Sequence, residues 1–307
     1  MAIIQKQAQT IAQKKKISFG KKKSWDKLVP YMFISPFIFT FFVFFLFPSI
    51  YSFVLSFYRY RGYGEARFVG IDNYLNLLQY PTFWTAVYNT MFYLVIHIFP
   101  VMIISFLLAV AMNSKFIKWQ KVYKPLIFLP QIMAVVAAAL VFRILFSTRT
   151  GVINNVFGTQ IPFLEDPSLM KWTVVILIVW RAVGWFLVIF LAGLTTISPS
   201  LNEAAEIDGA NAFQRLWYIT IPLMKPILLF AFVIDTIGSL KIYAEPLILI
   251  SGWINAPTHV IPIMALLTNN LQGGNFGMAS AVGWVLFLMI LVVSAIQFKL
   301  FKGWGRE

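Results

Sequence analysis

Six long apolar segments place the strongest constraint on what this chain can fold into. They lie near residues 30–57, 84–112, 124–146, 171–194, 223–250 and 277–301 of the 307-residue sequence. A helix that crosses a bilayer needs about 20 mostly apolar residues, because each residue adds only about 1.5 Å along the axis. The chain is 60% hydrophobic and 12% charged, so it is far more apolar than a typical soluble domain. We therefore predict an all-α, polytopic membrane protein with about six transmembrane helices.

The distribution of lysine and arginine predicts how these helices are oriented. Eight lysines lie in the first 29 residues, and further basic residues lie in the second and fourth loops and at the C-terminus. Because positive residues stay mainly on the cytoplasmic side, both termini are predicted to be cytoplasmic. The chain then divides into a basic tail at 1–29, a transmembrane domain at 30–301 and a cytoplasmic C-terminus at 302–307.

The net charge of +14 raises the question of nucleic-acid binding. The basic residues lie in a tail and in short loops between apolar segments, a distribution that suits a membrane better than DNA. We therefore expect membrane lipid around the chain and no nucleic-acid partner. The sequence contains no cysteine, which excludes disulfides, cysteine metal sites and thiol nucleophiles.

The loop at 198–222 differs from the other cytoplasmic loops in its acidic content, with three acidic residues within six positions. Pro199 suits the first turn of a helix, and Ser200 followed by Glu203 has the spacing of a capping box. These signals predict a helix from about Ser200 to Asp208. Orientation alone does not require such a segment, so we expect it to have a function of its own.

A sharp turn is predicted at Gly209, since glycine adopts positive φ without steric cost at a helix C-terminus. A second helix would then run from about Asn211 to Ile219, and Pro222 would restart the chain into the next span. On the first helix, Ala204 and Ala205 are small enough to let another surface approach closely. The segment is therefore predicted to be a helix-turn-helix that lies on the cytoplasmic face and fits a partner.

The same residues match the pattern of a known family. Glu203, Ala204, Ala205, Gly209, Ile219 and Pro222 reproduce the EAA motif, E-A-A-x3-G-x9-I-x-L-P, with Ile221 in place of leucine and Asp208 before the glycine. Residues 68–90 and 277–287 are similar to the carbohydrate-uptake branch of the same family. The chain thus resembles the permease subunits of binding-protein-dependent ABC importers, and among them the first permease of maltose- and glycerol-phosphate-type systems.

This resemblance implies a type I ABC importer permease fold in a bacterial-type plasma (inner) membrane. It implies four partners besides a carbohydrate substrate: a second homologous permease, two ATPase subunits and an extracytoplasmic solute-binding protein. The ATPase-coupling residues would be Glu203, Ala204, Ala205, Asp208, Gly209 and Pro222. ATP and Mg would be bound by the ATPase subunits, and this chain, which lacks a G-x-x-x-x-G-K-[ST] loop, is expected to hold no cofactor.

Charged residues inside the predicted spans need partners or a cavity, because each costs at least about 2.5–3.5 kcal/mol at the centre of a membrane helix. They are Arg143, Arg181, Asp235, Lys241 and Glu245. Lys241 and Glu245 are four apart on one predicted helix, so they can pair with each other. Asp235 and Arg181 are a second candidate pair.

A sugar site needs groups that match hydroxyls and flat aromatic surfaces. Spans four to six offer such side chains at Trp180, Trp185, Tyr243, Glu245 and Trp284. The aromatic ones would also suit the membrane interface. His97 is expected to be a buried packing residue and His259 a loop residue, so neither predicts a metal or catalytic site. Tyr243-Ala244 and the segment 251–257 after span five depart from the family pattern and leave the particular sugar or sugar-like solute open.

Two other functions compete with the importer permease. A secondary transporter or channel would work without ATPases, but no internal repeat is evident in the sequence. A membrane-embedded enzyme would need a reactive constellation, and neither an H-E-x-x-H pattern nor a nucleophile with an obvious base is found. The EAA segment favours the permease, which is not itself an enzyme.

A reporter fused after Glu307 tests the predicted orientation. We expect it to be cytoplasmic, because an even number of spans returns the chain to the side on which the basic tail is held. A control fusion after Thr159, in a loop predicted to be external, should give the opposite signal. An extracytoplasmic signal from the reporter fused after Glu307 would place the 198–222 loop outside the cytoplasm, where it could not contact a cytoplasmic ATPase.

Overall fold

The computed structural model of the chain describes residues 24–114, 117–250 and 260–303. One two-stranded hairpin interrupts an otherwise helical order of elements in these ranges. The chain divides into two compact units, residues 1–54 and 55–307. In the first unit a helix begins at Ser24 and passes through a π turn at Phe42–Leu46, shortly before Pro48.

Five of the described helices are long and apolar enough to cross a membrane. Spans one, two, four, five and six are Leu28–Leu55, Pro81–Asn113, Pro167–Leu194, Ala212–Leu240 and Phe276–Lys302. Span three is a bent pair, Gln120–Ile132 and Val135–Leu145, whose halves meet at 96°. The remaining elements are β1 (Tyr58–Arg59), β2 (Arg67–Phe68) and the helices Asp72–Gln79, Val152–Phe157, Pro199–Ile207, Ala244–Leu249 and Ile263–Gln272. The prediction of about six helical spans is confirmed, with the third one bent.

The bend in span three follows from its sequence. Pro130 lies inside the first half of the span, where its missing N–H removes one helical hydrogen bond. Met133 and Ala134 then adopt extended ψ angles of 139° and 135° before the second half begins. Hydropathy alone predicts one continuous helix here, but the structure has two helices.

Span five differs from its predicted range, 223–250, at both ends. Its helix stops at Leu240, and a separate short helix follows at Ala244–Leu249. Between them Tyr243 leaves the helical region, with φ −152° and ψ −52°. The helix also begins earlier, at Ala212. The predicted range was wrong because hydropathy reports apolar content and not the continuity of a helix.

Span two packs along span four and forms the main core of the second unit. Val101 and Phe190 are completely buried there, and the rings of Phe106 and Phe190 meet edge to face with centroids 5.7 Å apart. The Ser105 hydroxyl donates a hydrogen bond to the Val183 carbonyl at 3.0 Å. This contact gives the two spans a fixed register along their length.

Gly184 allows span three to approach span four closely. A Cβ at this position would overlap the carbonyl oxygen of Ile127 and would lie 2.8 Å from the Cα of Phe128. Gly238 in span five is a matched contrast, because nothing lies within 4 Å of the point that its Cβ would occupy. Only one of these two helical glycines is therefore required by packing.

Gly184→Ala is expected to lower the melting temperature of the purified protein, and Gly238→Ala is not. The methyl group at residue 184 meets backbone atoms, and overpacking of this kind costs about 1–3 kcal/mol. At residue 238 the same atom replaces a glycine in a helix interior, where alanine is favoured. Thermal unfolding of detergent-solubilised protein, followed by size-exclusion chromatography, measures both. Equal melting temperatures for the two variants would contradict the close packing of spans three and four.

Candidate functional site

The first helix of the 198–222 segment runs from Pro199 to Ile207, and we call it the coupling helix after the role predicted for it. Pro199 lies in its first turn as predicted, but the predicted capping box of Ser200 and Glu203 is wrong. The helix begins one residue earlier, with Ser198 at the N-cap, and the Ser200 hydroxyl lies 2.8 Å from that of Ser198. Glu203 is therefore beyond the position from which a capping-box carboxylate would reach back.

The turn after the coupling helix has the geometry predicted for it. Gly209 has a φ of +81°, which confirms the prediction of a positive angle. The Ala210 N–H donates to the Ala205 carbonyl at 2.9 Å, and the Gly209 N–H donates to the Glu206 carbonyl at 3.1 Å. These two bonds form a Schellman motif, which satisfies the last carbonyls of the helix. A side chain at residue 209 would be strained whatever space surrounds it.

A capping box does occur, but at the start of the second helix. The Asn211 side chain accepts from the Gln214 N–H at 2.9 Å, and the Gln214 side chain accepts from the Asn211 N–H at 2.8 Å. The helix then passes through a π turn at Leu216–Thr220 into the rest of span five. The predicted end at Ile219 is therefore wrong.

Pro222 does not interrupt this helix, contrary to the prediction. In the π turn the Ile221 N–H bonds to the Leu216 carbonyl, five residues back, so the regular pattern is already shifted before the proline. The second helix is the N-terminal part of span five and not a separate element. The two arms of the turn are also joined by an ion pair of 3.0 Å between Arg215 and Glu206.

The coupling helix has no buried residue in the described chain. Leu201 and Ile207 are 47% and 86% exposed, and Phe213 and Trp217 just beyond the turn are 70% and 56% exposed. Of the predicted coupling residues, Ala205 is half-buried, whereas Glu203, Ala204, Asp208, Gly209 and Pro222 are exposed. This end of the molecule presents an uncovered surface of mixed apolar and acidic character.

A cavity of about 510 Å³ lies where span five breaks, facing spans two and four. Among the residues that line it are His97, Gln131, Trp185, Asp235, Ser239, Lys241, Tyr243 and Glu245. Three of the predicted path residues, Trp185, Tyr243 and Glu245, are thus brought together. Aromatic faces beside amide, hydroxyl and carboxylate groups can bind a hydroxyl-rich solute.

The other two predicted path residues lie elsewhere. Trp180 lines a separate apolar groove of about 680 Å³ and packs against Phe142, with ring centroids 5.4 Å apart. Trp284 packs against Phe287 within span six, with centroids 5.2 Å apart, and is not among the lining residues of either space.

The ion pair beside the cavity joins Arg181 of span four to Glu245, with Nη1 and Oε1 2.7 Å apart. The expected pair of Lys241 and Glu245 is wrong, because the helix ends at Leu240 and the two residues no longer share one helical face. Lys241 lines the cavity without joining that pair. The alternative pair of Arg181 with Asp235 is wrong as well.

Asp235 is held instead by His97 of span two, with the imidazole Nε2 3.0 Å from the carboxylate. Both side chains are buried, and the Ser239 hydroxyl lies 3.2 Å from the same nitrogen. His97 is buried as predicted, but it has a polar partner that the sequence analysis missed. The two residues are 138 apart in sequence, and the only signal for the pair was the need of each for a partner in an apolar span. His259 lies outside the described residues.

The chain matches one family model over residues 20–304, described as the inner membrane component of binding-protein-dependent transport systems. It is 34% identical to the arabinooligosaccharides transport system permease AraP of Bacillus subtilis, over 94% of this chain and 96% of that protein. It is also 34% identical to the lactose transport system permease LacF of Rhizobium radiobacter, over 87% of this chain and 92% of that protein.

The fold is similar to a chain in the crystal structure of a bacterial ABC transporter involved in the import of the acidic polysaccharide alginate. The TM-score is 0.80 at 23% identity, and the match covers 93% of this chain and 100% of that one. Another structure of the alginate transporter, in complex with a pentasaccharide-bound periplasmic protein, matches equally well, with a TM-score of 0.80. The described spans thus have the type I ABC importer permease fold. The chain belongs to the family of inner membrane components of binding-protein-dependent transport systems.

Proposed function

We propose that this chain is one transmembrane subunit of an ATP-driven importer for an oligosaccharide or a related sugar-like solute. With a second, homologous permease it would form the two halves of the translocation path. The named relatives support a carbohydrate, since they serve arabino-oligosaccharides and lactose. The cavity is consistent with the same class, because aromatic faces and groups that can hydrogen-bond to hydroxyls lie together in its lining.

The observation that carries this proposal is the connection between the coupling helix and the cavity. The uncovered coupling helix turns at Gly209 directly into span five, which is one continuous helix from Ala212 to Leu240. That helix ends at Leu240, where span five breaks, and residues around the break line the cavity. A displacement applied to the coupling helix would therefore reach the cavity through a single continuous helix.

Two ATPase subunits would bind ATP and Mg, and one of them would receive the coupling helix in a surface groove. Ala204 and Ala205 allow close approach, and Glu203 can pair with basic groups of the ATPase. This assignment requires the coupling helix to be cytoplasmic, as the tail at 1–29 and the C-terminus at 302–307 are proposed to be. The extracytoplasmic binding protein would deliver the solute from the opposite side.

Trp185, Tyr243 and Glu245 are the proposed solute contacts. They line one cavity, and the Arg181 guanidinium holds Glu245 in place at 2.7 Å. Trp180 and Trp284 pack at other positions and are left out of this proposal.

Gly209→Val and Ala204→Trp are expected to weaken ATPase coupling strongly while both variants insert normally. The first introduces strain on the order of 1–3 kcal/mol at a positive φ angle, and the second places a large side chain on an exposed position that a partner must cover. We expect at least about a tenfold loss of ATPase co-purification, or of binding-protein-stimulated hydrolysis, which corresponds to about 1.4 kcal/mol. Co-purification from membranes and ATP turnover measure the two effects.

Gly158→Val is the matched control for strain. Gly158 also has a positive φ, of +63°, and nothing lies within 4 Å of its Cβ position, but it follows the helix Val152–Phe157 in another loop. This variant should retain ATPase attachment and stimulated turnover. Normal attachment and turnover in both Gly209→Val and Ala204→Trp would mean that the coupling helix does not contact the ATPase.

A further inference from the structure

The segment between spans one and two folds into a small cap, formed by the hairpin of β1 and β2 and the helix Asp72–Gln79. The buried Asn73 side chain donates to the carbonyls of Ser56 at 2.8 Å and Tyr58 at 3.0 Å. The Phe276 N–H donates to the Tyr60 carbonyl at 3.0 Å. Gly277 allows this contact, because a Cβ there would overlap the Tyr58 carbonyl oxygen. The cap is thus fixed to the start of span six.

Two arginines face each other across the hairpin of this cap. The strands pair in antiparallel register, with Tyr58 opposite Phe68 and Arg59 opposite Arg67. Directly opposed residues have Cβ atoms about 4.5–5.5 Å apart, and like charges at such positions are destabilising. Both arginines are exposed and project from the same face of the hairpin, so two cationic side chains start from neighbouring positions.

The charge of the hairpin is not balanced within the described chain. Arg61 adds a third exposed cation within the nine residues 59–67, and Glu65 is the only acidic residue there. The ion pairs found among the described residues do not include any of these three arginines. Tyr63 and Phe68 beside them are 77% and 65% exposed. Arginine and tyrosine, with tryptophan, are enriched among the residues that carry most of the binding energy of protein interfaces.

The proposed orientation makes this cluster unusual, because it lies on the extracytoplasmic side, where lysine and arginine are depleted. Its three arginines therefore depart from the distribution of lysine and arginine by which the rest of the sequence predicts the orientation. Like charges held at opposed positions lower the stability of the hairpin, and an anionic partner would offset that cost.

We propose that Arg59, Arg61 and Arg67 form a docking site for acidic side chains of the extracytoplasmic binding protein. A carboxylate between Arg59 and Arg67 would relieve their repulsion and accept charge-assisted hydrogen bonds. The inference rests on the proposed function, which supplies the binding protein as a partner. Through Tyr60 and Gly277 the docked surface contacts span six, which packs on span five.

The test uses the complete transporter in nanodiscs of uncharged phosphatidylcholine, and a second series uses discs with anionic lipid, with and without the binding protein. ATP hydrolysis is measured against the concentration of the purified, solute-loaded binding protein at low and at high salt. Arg67→Gln and the double variant Arg59→Glu, Arg67→Glu are compared with Arg149→Gln. Arg149 is an exposed arginine in another loop of the same side.

We expect the double variant to raise the half-maximal concentration of binding protein at least about tenfold, and Arg67→Gln to raise it several-fold. The dependence on salt should be weaker in both than in the unmodified transporter. Arg67→Gln should not lower the melting temperature, because it removes a like-charge pair from the hairpin. Arg149→Gln should leave the hydrolysis curve unchanged.

Each contrary result has a distinct meaning. If the unmodified transporter is not stimulated by any loaded binding protein, the proposed function fails, and the docking site fails with it. If it is stimulated and the variants give the same curve, the docking site alone is overturned. An effect of the variants that appears only in discs with anionic lipid, without binding protein, would assign the arginines to lipid headgroups and also overturn it.

Discussion

The packing of span two along span four is the interaction on which the rest of the described transmembrane core depends. It holds His97 on one helix and Arg181 on the other, each beside a different part of the broken span five. His97 contacts Asp235 before the break, and Arg181 contacts Glu245 after it. Leaving one partner of a buried pair unpaired costs about 3–5 kcal/mol. The break is thus held at a fixed place by contacts on both sides.

A break at this place gives the proposed transport path its polar lining. A span that continued as helix through residues 241–243 would place Lys241 and Glu245 on one face, and Tyr243 would lose the non-helical angles with which it now borders the cavity. Broken helices are tolerated at membrane depth where they line a cavity, since the freed backbone groups can be solvated there. The cavity and the interruption of span five are therefore one structural feature.

The proposed coupling uses the unbroken part of the same span. Ala212–Leu240 contains 29 residues, which at about 1.5 Å each gives a rod of about 43 Å. One end carries the turn at Gly209 and the Arg215–Glu206 ion pair, and the other carries Asp235 and Ser239 at the cavity. An ATPase that moved the coupling helix would act on a lever whose far end is already attached to span two.

Features set by the local sequence could be predicted, whereas contacts between residues far apart in the sequence could not. Hydropathy located the spans, and Gly209 predicted a positive φ because few other residues adopt one. Hydropathy did not reveal that span five stops at Leu240, so Glu245 was assigned to Lys241 when its partner is Arg181. The capping box was predicted at Ser200, where the spacing fits, and forms at Asn211, where the helix begins. Which of several suitable residues starts a helix, or which of several charges meet, depends on packing across the fold.

The most direct test of the central claim is solute uptake by proteoliposomes. Vesicles would contain either this chain alone or this chain with its second permease and ATPases, and radiolabelled oligosaccharide would be supplied with or without the binding protein. The account predicts accumulation only in the complete assembly, and only with both ATP and loaded binding protein. Uptake by the chain alone, driven by a proton or sodium gradient and indifferent to ATP, would contradict it.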